Sequence, residues 1–289
     1  MIVITGATGQ LGHLVINELL KTQPAAELIA AVRSPEKAQD LAALGLSIRK
    51  ADYDQPATLD DAFKGAEKIL LISSSDVGRR VPQHRAVIEA AKRANISLLA
   101  YTSLLHADTS PLAILGEEHR ATEALLKDSG LPVVLLRNGW YNENYAMGIP
   151  AAVSLNTLTG CAGDGLISSA TRADYAAAAA AVLTGTHHVG KIYELAGDSA
   201  YTLTDLAAEI TRQSGTTVNY VNLTQAAYQA LLKQAGLPEP VAAMLADSAT
   251  GTAKGGLFDS HRQLSRLIGR STTPMAETVA ATLKTATAS

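Results

Sequence analysis

The sequence predicts an α/β fold in which a doubly wound parallel sheet carries helices on both faces and is joined by a smaller C-terminal lobe. Three observations predict it. Short, mostly apolar segments alternate with helical ones through the first half of the chain. The first apolar segment runs directly into glycines spaced G-x-x-G-x-x-G, namely Gly6, Gly9 and Gly12. The chain has 289 residues, 47% of them hydrophobic and 18% charged, which suits a globular protein with a large core.

Six strands are predicted in the first half, and each is short and mostly apolar, as strands covered on both faces are. Their ranges are 2–5, 28–32, 47–50, 68–72, 97–101 and 132–137. Helices are predicted between them at 10–22, 35–44, 58–63, 80–95 and 115–129. Pro35 after Ser34 is typical of a helix start, and Gly45 of a helix end. We expect these elements to form a Rossmann-type first domain, residues 1–150.

After Trp140 the alternation becomes irregular. Residues 151–165 are predicted to form a loop with short pieces of secondary structure, 172–183 an alanine-rich helix and 191–196 a strand. Further helices are predicted near 203–213, 224–234, 241–246 and 275–285. We expect residues 151–289 to form a smaller lobe that covers the substrate pocket, with part of it returning to the main domain.

The glycine segment predicts a binding site for a dinucleotide pyrophosphate. In a strand, turn and helix of this kind, Gly6 adopts a conformation closed to other residues, Gly9 lets phosphates approach and Gly12 lets the helix pack closely. The helix N-terminus offers free N–H groups and a partial positive charge to the phosphates. An ordinary glycine-rich turn is the alternative. The predicted cofactor contacts of this segment are Gly6, Ala7, Thr8, Gly9, Gln10 and Leu11.

Arg33, at the end of the second strand, predicts NADPH rather than NADH as the cofactor. An acidic residue there would bind the 2′-hydroxyl of NAD, whereas an arginine can pair with a 2′-phosphate. Such a charge-assisted bond contributes roughly 1.5–3 kcal/mol. The alternative for Arg33 is an exposed side chain at the strand edge. Asp52 either accepts a bond from the adenine amino group or caps the helix that follows Pro56, and the sequence leaves both open.

Two further strand ends carry hydroxyl groups that point to the same site. Ser73, Ser74 and Ser75 follow the fourth strand and are predicted to approach the cofactor's ribose and pyrophosphate. Their alternative is a polar loop that caps a helix. Tyr101 and Ser103, at the end of the fifth strand, are predicted to contact a substrate beside the nicotinamide, unless they only make local strand-end hydrogen bonds.

Residues 138–145, after the sixth strand, hold the only tryptophan and two of the nine tyrosines of a chain that is 4% aromatic. Aromatic faces beside a nicotinamide make a slot for a flat substrate, so Trp140 and Tyr141 are predicted to bind it. Packing in the core is the alternative for Trp140. Ser168 and Ser169 are expected to close the same pocket.

Composition and charge exclude several classes of function. A net charge of −3 without a basic run argues against a nucleic-acid partner, and no apolar stretch is long enough to span a bilayer. No signal peptide is expected, and a single cysteine, Cys161, fits a reducing cytoplasm. His187 and His188 are adjacent and lack a third ligand, so no metal site is predicted. The oligomeric state is not predicted.

Together these segments resemble the atypical short-chain dehydrogenase/reductase family. The T-G-A-T-G-Q-L-G opening, Arg33, I-S-S-S at 72–75, Y-T-S-L-L-H-A-D-T-S-P at 101–111 and L-R-N-G-W-Y at 136–141 are most similar to its bacterial NAD(P)H:quinone oxidoreductase 2 group. Triphenylmethane reductases and NmrA-like regulators look more distant. The resemblance runs over nearly the whole chain and implies two-electron reduction of quinones by NADPH. Beyond Gly6–Leu11, Arg33 and Ser73–Ser75, the predicted cofactor contacts are Asn138, Gly139, Trp140, Tyr141, Asn142, Glu143 and Ser169.

One departure from that family shapes the predicted mechanism. Most of its superfamily's reductases carry Tyr-x-x-x-Lys, and here the corresponding helix carries His119-x-x-x-Glu123. We therefore assign no catalytic residue and expect direct hydride transfer, with the quinone held flat on the nicotinamide and water supplying the proton. Two alternatives stay open. One is a non-catalytic, NmrA-like redox sensor that binds NADPH, and the other is a reductase of dyes and other electrophilic aromatics.

Overall fold

The computed structural model of the chain, which describes residues 1–286, is built around a seven-stranded sheet. The strands, in chain order, are β1 (Ile2–Thr5), β2 (Leu28–Val32), β3 (Ser47–Lys50), β4 (Lys68–Leu71), β5 (Leu98–Leu104), β6 (Val133–Asn138), β7 (Thr157–Gly160), β8 (Ile192–Leu195) and β9 (Asn219–Asn222). The large sheet has the order β3-β2-β1-β4-β5-β6-β8, and β7 pairs in parallel with β9 in a separate two-stranded sheet. The predicted doubly wound α/β fold is confirmed.

Thirteen α-helices lie within residues 1–286. They are α1 (Gln10–Leu19), α2 (Gln39–Ala43), α3 (Ala57–Phe63), α4 (Arg80–Ala94), α5 (Ala113–Asp128), α6 (Asn142–Ala146), α7 (Ile149–Leu155), α8 (Arg172–Thr184), α9 (Leu203–Ser214), α10 (Gln225–Gln234), α11 (Glu239–Ala253), α12 (Gln263–Ile268) and α13 (Met275–Ala286). None of them combines the length and the apolar character that crossing a membrane requires.

The strand β1 lies at the point where the strand order reverses. Val3 is in register with Ile29 of β2 on one side and with Ile69 of β4 on the other, and both pairs are parallel. All three side chains belong to one buried cluster that also holds Phe63 of α3 and Val87 of α4. The loops that leave β1 and β4 diverge from this point, where ligands of doubly wound sheets bind.

The structure corrects the sequence prediction in the second half. Residues 151–165, for which a loop with unassigned short pieces was predicted, include most of α7 and all of β7. The elements α6, β9 and α12 were also not predicted, and α11 extends well beyond the predicted 241–246. Helices and strands of four to seven residues show too little periodicity to be recognised, because such short elements depend on tertiary packing.

The predicted helix 35–44 is interrupted. Pro35–Lys37 forms a 3₁₀ turn, and α2 begins only after Ala38, whose φ of −113° and ψ of 26° lie outside the helical region.

The chain divides into two compact units. Unit one comprises Met1–Leu104, Glu118–Arg137 and Tyr175–Tyr193, and unit two comprises Leu105–Glu117, Asn138–Asp174 and the chain from Glu194 onward. This division does not follow the single boundary drawn at residue 150. The difference arises because most of α5 and β6 belong to unit one, whereas the segments that follow β5 and β6 belong to unit two.

Candidate functional site

The glycine turn has the geometry of an anion site. Gly6 has a φ of +58°, in the left-handed region, and the N–H of Gly9 donates to its carbonyl at 2.9 Å. A Cβ placed on Gly12 would lie 2.4 Å from the same carbonyl, so only glycine lets α1 begin this close to the turn. The N-cap residue of α1 is Gly9, which has no side chain to accept hydrogen bonds from the first N–H groups of the helix. The first turn contains no acidic residue either. These donors are therefore suited to a phosphate.

A cavity of about 450 Å³ lies in unit one, at the carboxyl ends of the first four strands. Its wall joins three separately predicted groups: the glycine turn, the end of β2 and the serines after β4. Ala7 and Leu11 are buried and do not line it, and Gln10 is the first residue of α1. The predicted residues that line the cavity are Gly6, Thr8, Gly9, Arg33, Asp52, Ser73, Ser74 and Ser75.

Two basic side chains from the loop that follows β2 line this cavity. Arg33 and Lys37 are both exposed, and within the described part of the chain neither side chain has a hydrogen-bond or ion-pair partner. Lys37 was not among the predicted contacts, although a second basic residue in the loop after Arg33 also indicates a site for a phosphate. A pair of cations without a carboxylate partner favours a doubly charged phosphate as the ligand.

Asp52 stabilises a local turn and also lines the cavity. One of its oxygens accepts the N–H of Asp54 at 3.1 Å, and the other accepts the side-chain amide of Gln55 at 2.9 Å. Its contact with adenine stays a prediction. Tyr53 lines the cavity too and was missed, and burial raises its pKa to about 12.

The segment after β4 is held by side chains. Where the chain leaves the sheet after β4, three successive backbone N–H groups each donate to a side chain from a different element. The pairs are Ile72 to the Thr5 hydroxyl at 3.1 Å, Ser73 to the Thr102 hydroxyl at 2.8 Å and Ser74 to Nε2 of His84 at 2.9 Å. The Ser74 hydroxyl donates to Gln83, whereas Ser75 is exposed. Side chains of β1, β5 and α4 therefore hold the backbone of this segment at Ile72, Ser73 and Ser74.

Tyr101 and Ser103 face α5. Tyr101 has 0% exposed surface, and its hydroxyl lies 2.7 Å from Nδ1 of His119. Burial raises the pKa of Tyr101 and lowers that of His119 well below its usual value, which keeps both side chains neutral. The Ser103 hydroxyl donates to Glu123, which also pairs with Arg137. The predicted contacts of Tyr101 and Ser103 with a substrate stay predictions.

The remaining predicted residues lie in unit two and do not line the cavity. Asn138 and Gly139 are buried, and Trp140 is half-buried.

Arg172 and Ser169 hold the segment that follows Trp140. The guanidinium of Arg172 lies 4.4 Å from the centre of the Tyr141 ring, and its backbone N–H donates to Glu143 at 2.9 Å. The Ser169 hydroxyl donates to Asn142 at 2.6 Å, so the structure brings these two predicted residues together. Across residues 1–286, no group of three or more histidine, cysteine or acidic side chains is arranged to hold a metal.

Comparison with known proteins agrees with this geometry. The model of the NAD(P)H-binding family matches residues 6–186. Quinone oxidoreductase 2 of Escherichia coli is 61% identical over 279 residues, which covers 96% of this chain and 97% of that protein.

Solved structures show the same similarity. The structure of the NADPH-dependent quinone oxidoreductase from Escherichia coli in complex with NADPH has a TM-score of 0.96 at 60% identity and covers 98% of this chain and 100% of that chain. The NADP(H) complex of triphenylmethane reductase from Citrobacter has a TM-score of 0.93 at 38% identity and covers 98% of this chain and 100% of that chain. The regulator NmrA, at 17% identity and a TM-score of 0.77, shares the fold. The resemblance predicted from the motifs is confirmed.

Proposed function

The chain belongs to the NAD(P)H-binding family, and we propose that it is an NADPH-dependent reductase of quinones. The observation that carries the proposal is the cavity of about 450 Å³, which brings the glycine turn, Arg33 with Lys37 and the serine segment to one place. The extensive identity to a protein named quinone oxidoreductase 2 supports the substrate class.

The residues that line the cavity fit NADPH. The open N–H groups at the start of α1 suit the pyrophosphate, and Gly6, Thr8 and Gly9 let it approach the backbone. Arg33 and Lys37 suit the 2′-phosphate because they carry positive charge and have no partner among residues 1–286. Ser73 and Ser75 offer hydroxyls to the ribose and pyrophosphate, and we propose them as direct contacts.

NADPH supplies a hydride when it is bound, and a quinone that takes this hydride and one proton becomes a hydroquinone. The chain's own residues bind and orient the reactants. We assign no side chain as the acid, because His119 is buried, neutral and bonded to Tyr101. A hydroquinone anion can take its proton from water. Trp140 and Tyr141 are proposed as the aromatic contacts of the flat substrate.

Two other functions use the same cofactor site. A reductase of dyes is favoured by the 38% identity to triphenylmethane reductase. An NmrA-like redox sensor is favoured by the absence of a tyrosine–lysine pair, since the chain carries His119 and Glu123 in that helix.

The deciding experiment follows the absorbance of NADPH in the presence of the purified protein, with and without a panel of quinones and triphenylmethane dyes. Quinone-dependent oxidation faster than dye-dependent oxidation is the expected result. Binding of NADPH without turnover of any acceptor would reject the reductase and favour the sensor. The double variant Arg33→Ala, Lys37→Ala serves as the binding-deficient control.

We also propose that the protein works in the cytoplasm. Cys161 is the only cysteine of the chain, so no disulfide can form within it, which fits a reducing compartment. Recovery of the protein in an extracellular or periplasmic fraction would contradict this location.

A further inference from the structure

One face of α4 binds every polar group of Ser74. The guanidinium Nε of Arg80 donates to the Ser74 carbonyl at 2.7 Å, and Nε2 of His84 accepts its N–H at 2.9 Å. The Ser74 hydroxyl donates to Gln83. Arg80, Gln83 and His84 are at most 5% exposed and lie at i, i+3 and i+4, which places them on one side of the helix.

A second layer, from α5, holds these α4 side chains in place. Arg80 forms a buried ion pair with Glu118, whose other oxygen accepts the N–H of Gly78 at 2.8 Å. His84 Nδ1 lies 3.0 Å from the hydroxyl of Thr122, which donates to the Glu118 carbonyl at 2.9 Å. The serine segment is therefore tied to α5 through two connections, the largely buried pair of Arg80 with Glu118 and the fully buried pair of His84 with Thr122.

The hydrogen-bond partners of His84 determine which of its two ring nitrogens carries the proton. A backbone N–H can only donate, so Nε2 of His84 must be the unprotonated nitrogen. The Thr122 proton is directed to a carbonyl, so Nδ1 of His84 carries the proton and donates it to the Thr122 oxygen. Burial, followed by the charge of Arg80, lowers the pKa of His84 to about 3, so the imidazole stays neutral near pH 7.

We propose that Arg80, His84 and Thr122 are positioning residues that set the conformation of residues 73–75 before NADPH arrives. Ser73 and Ser75 are then presented to the cofactor, while Ser74 is a structural residue with its hydrogen-bonding groups used internally. A segment ordered during folding loses less entropy on binding, which raises affinity. This inference rests on the proposed binding of NADPH in the cavity.

His84→Phe tests the inference because it removes the acceptor for Ser74 and keeps an aromatic ring. The KM for NADPH should rise about tenfold, which corresponds to ~1.4 kcal/mol. At saturating NADPH, kcat and the KM for quinone should stay within about twofold, since phenylalanine keeps an aromatic ring against Tyr101, whose ring centre lies 5.3 Å from that of His84. His84→Gln keeps an acceptor near Nε2 and should restore most of the affinity.

The matched control is His188→Phe. His188 is a half-buried histidine of unit one that bonds to the Tyr193 hydroxyl at 2.8 Å and does not line the cavity. Its replacement should leave the KM for NADPH unchanged. If His84→Phe does not fold, Thr122→Val removes only a hydroxyl and should raise the KM about threefold, or ~0.65 kcal/mol.

The two levels of the proposal fail in different ways. If the parent protein neither binds nor oxidises NADPH, the proposed function is rejected, and this inference is rejected with it. If the parent is active and the folded His84→Phe and Thr122→Val variants keep its KM, only the positioning role is rejected. Nitrogen NMR of the labelled parent protein reports the tautomer directly. A proton on Nδ1 of His84 at pH 7 is expected, and a proton on Nε2 would overturn the inference.

Discussion

At the scale of single residues, we propose that Arg33 decides the choice of cofactor. Its guanidinium lines the cavity with Lys37, and in the part of the chain that the structure describes neither cation is neutralised by a carboxylate. A 2′-phosphate would supply the missing negative charge, whereas the 2′-hydroxyl of NADH would not. In this proposal, the preference for NADPH over NADH depends on the exposed side chains of Arg33 and Lys37.

Replacing Arg33 by Asp should weaken NADPH binding roughly tenfold to a hundredfold, as expected from losing about 1.5–3 kcal/mol of charge-assisted bonding. NADH binding should change little, because no phosphate meets the new carboxylate. Titration calorimetry with both cofactors measures the difference. Arg85→Asp, at an exposed arginine of α4 outside the cavity, is the charge-matched control. Equal weakening of both cofactors would place Arg33 away from the phosphate.

His119 is a residue whose environment argues against a chemical role. It is 5% exposed, and its Nδ1 lies 2.7 Å from the Tyr101 hydroxyl. Burial disfavours its charged form and lowers its pKa, so it is poorly suited to deliver a proton near pH 7.

His119→Ala should leave kcat with a saturating quinone within about tenfold of the parent value, because general acid catalysis would be worth about a hundredfold or more. The variant should lose roughly 1–3 kcal/mol of stability, since the buried Tyr101 hydroxyl loses its partner. Turnover and urea denaturation measure the two effects. His119→Asn, which can retain a bond to Tyr101, is the control for stability. A fall in kcat above a thousandfold would show that His119 takes part in the reaction.

At the scale of elements, the glycine turn and α1 depend on the close approach of Gly12 to the carbonyl of Gly6. The carbonyl of Gly6 both closes the turn and lies beside Gly12 in the first turn of α1. Any side chain at Gly12 must separate the helix from the turn, which would also move the N–H groups that face the cavity. Folding and cofactor binding are therefore coupled at this position.

Gly12→Ala should lower the free energy of unfolding by about 1–3 kcal/mol, the usual cost of overpacking, and should abolish measurable NADPH binding at concentrations that saturate the parent. Urea denaturation and calorimetry on the same preparation measure both. Gly148→Ala is the control, because a Cβ there would meet only the Tyr145 carbonyl at 3.5 Å, an ordinary contact. Parental affinity in a stable Gly12→Ala variant would contradict the proposed coupling.

At the scale of the whole molecule, two buried histidines link folding to pH. The pKa of His84 is lowered to about 3, and that of His119 is also well below 6.5, in both cases mainly by burial. Between these values and 6.5 the unfolded chain binds protons that the folded chain does not. The folded state therefore loses stability as the pH falls below about 6.5.

The free energy of unfolding should decrease from pH 7 to pH 5, with each buried histidine contributing a slope of up to about 1.4 kcal/mol per pH unit. Urea denaturation across this range tests it, since carboxylates titrate mainly at lower pH. His84→Phe should flatten the dependence, because the variant has one fewer group to protonate on unfolding. The same slope in parent and variant would show that His84 is not protonated differently in the two states.

The pattern of neighbouring residues in the sequence was enough to predict most strands of the large sheet and about half of the residues that line the cavity. The predicted ranges of β1, β2 and β3 agree with their observed ends, and the glycine turn and Arg33 line one cavity, as predicted for a dinucleotide site. These signals are readable because backbone conformation and burial on both faces constrain adjacent residues directly.

Other features were decided only by the tertiary structure, because they depend on residues that are far apart in the chain. The pairing of β7 with β9, the assignment of α5 to two units and the contact of His84 with Thr122 have no local signature. Tyr53 became part of the cavity for the same reason, since neighbouring strands bring their loops together. A strand or helix can be recognised from its own residues, but a buried polar contact exists only once two elements have packed, and packing is decided by the molecule as a whole.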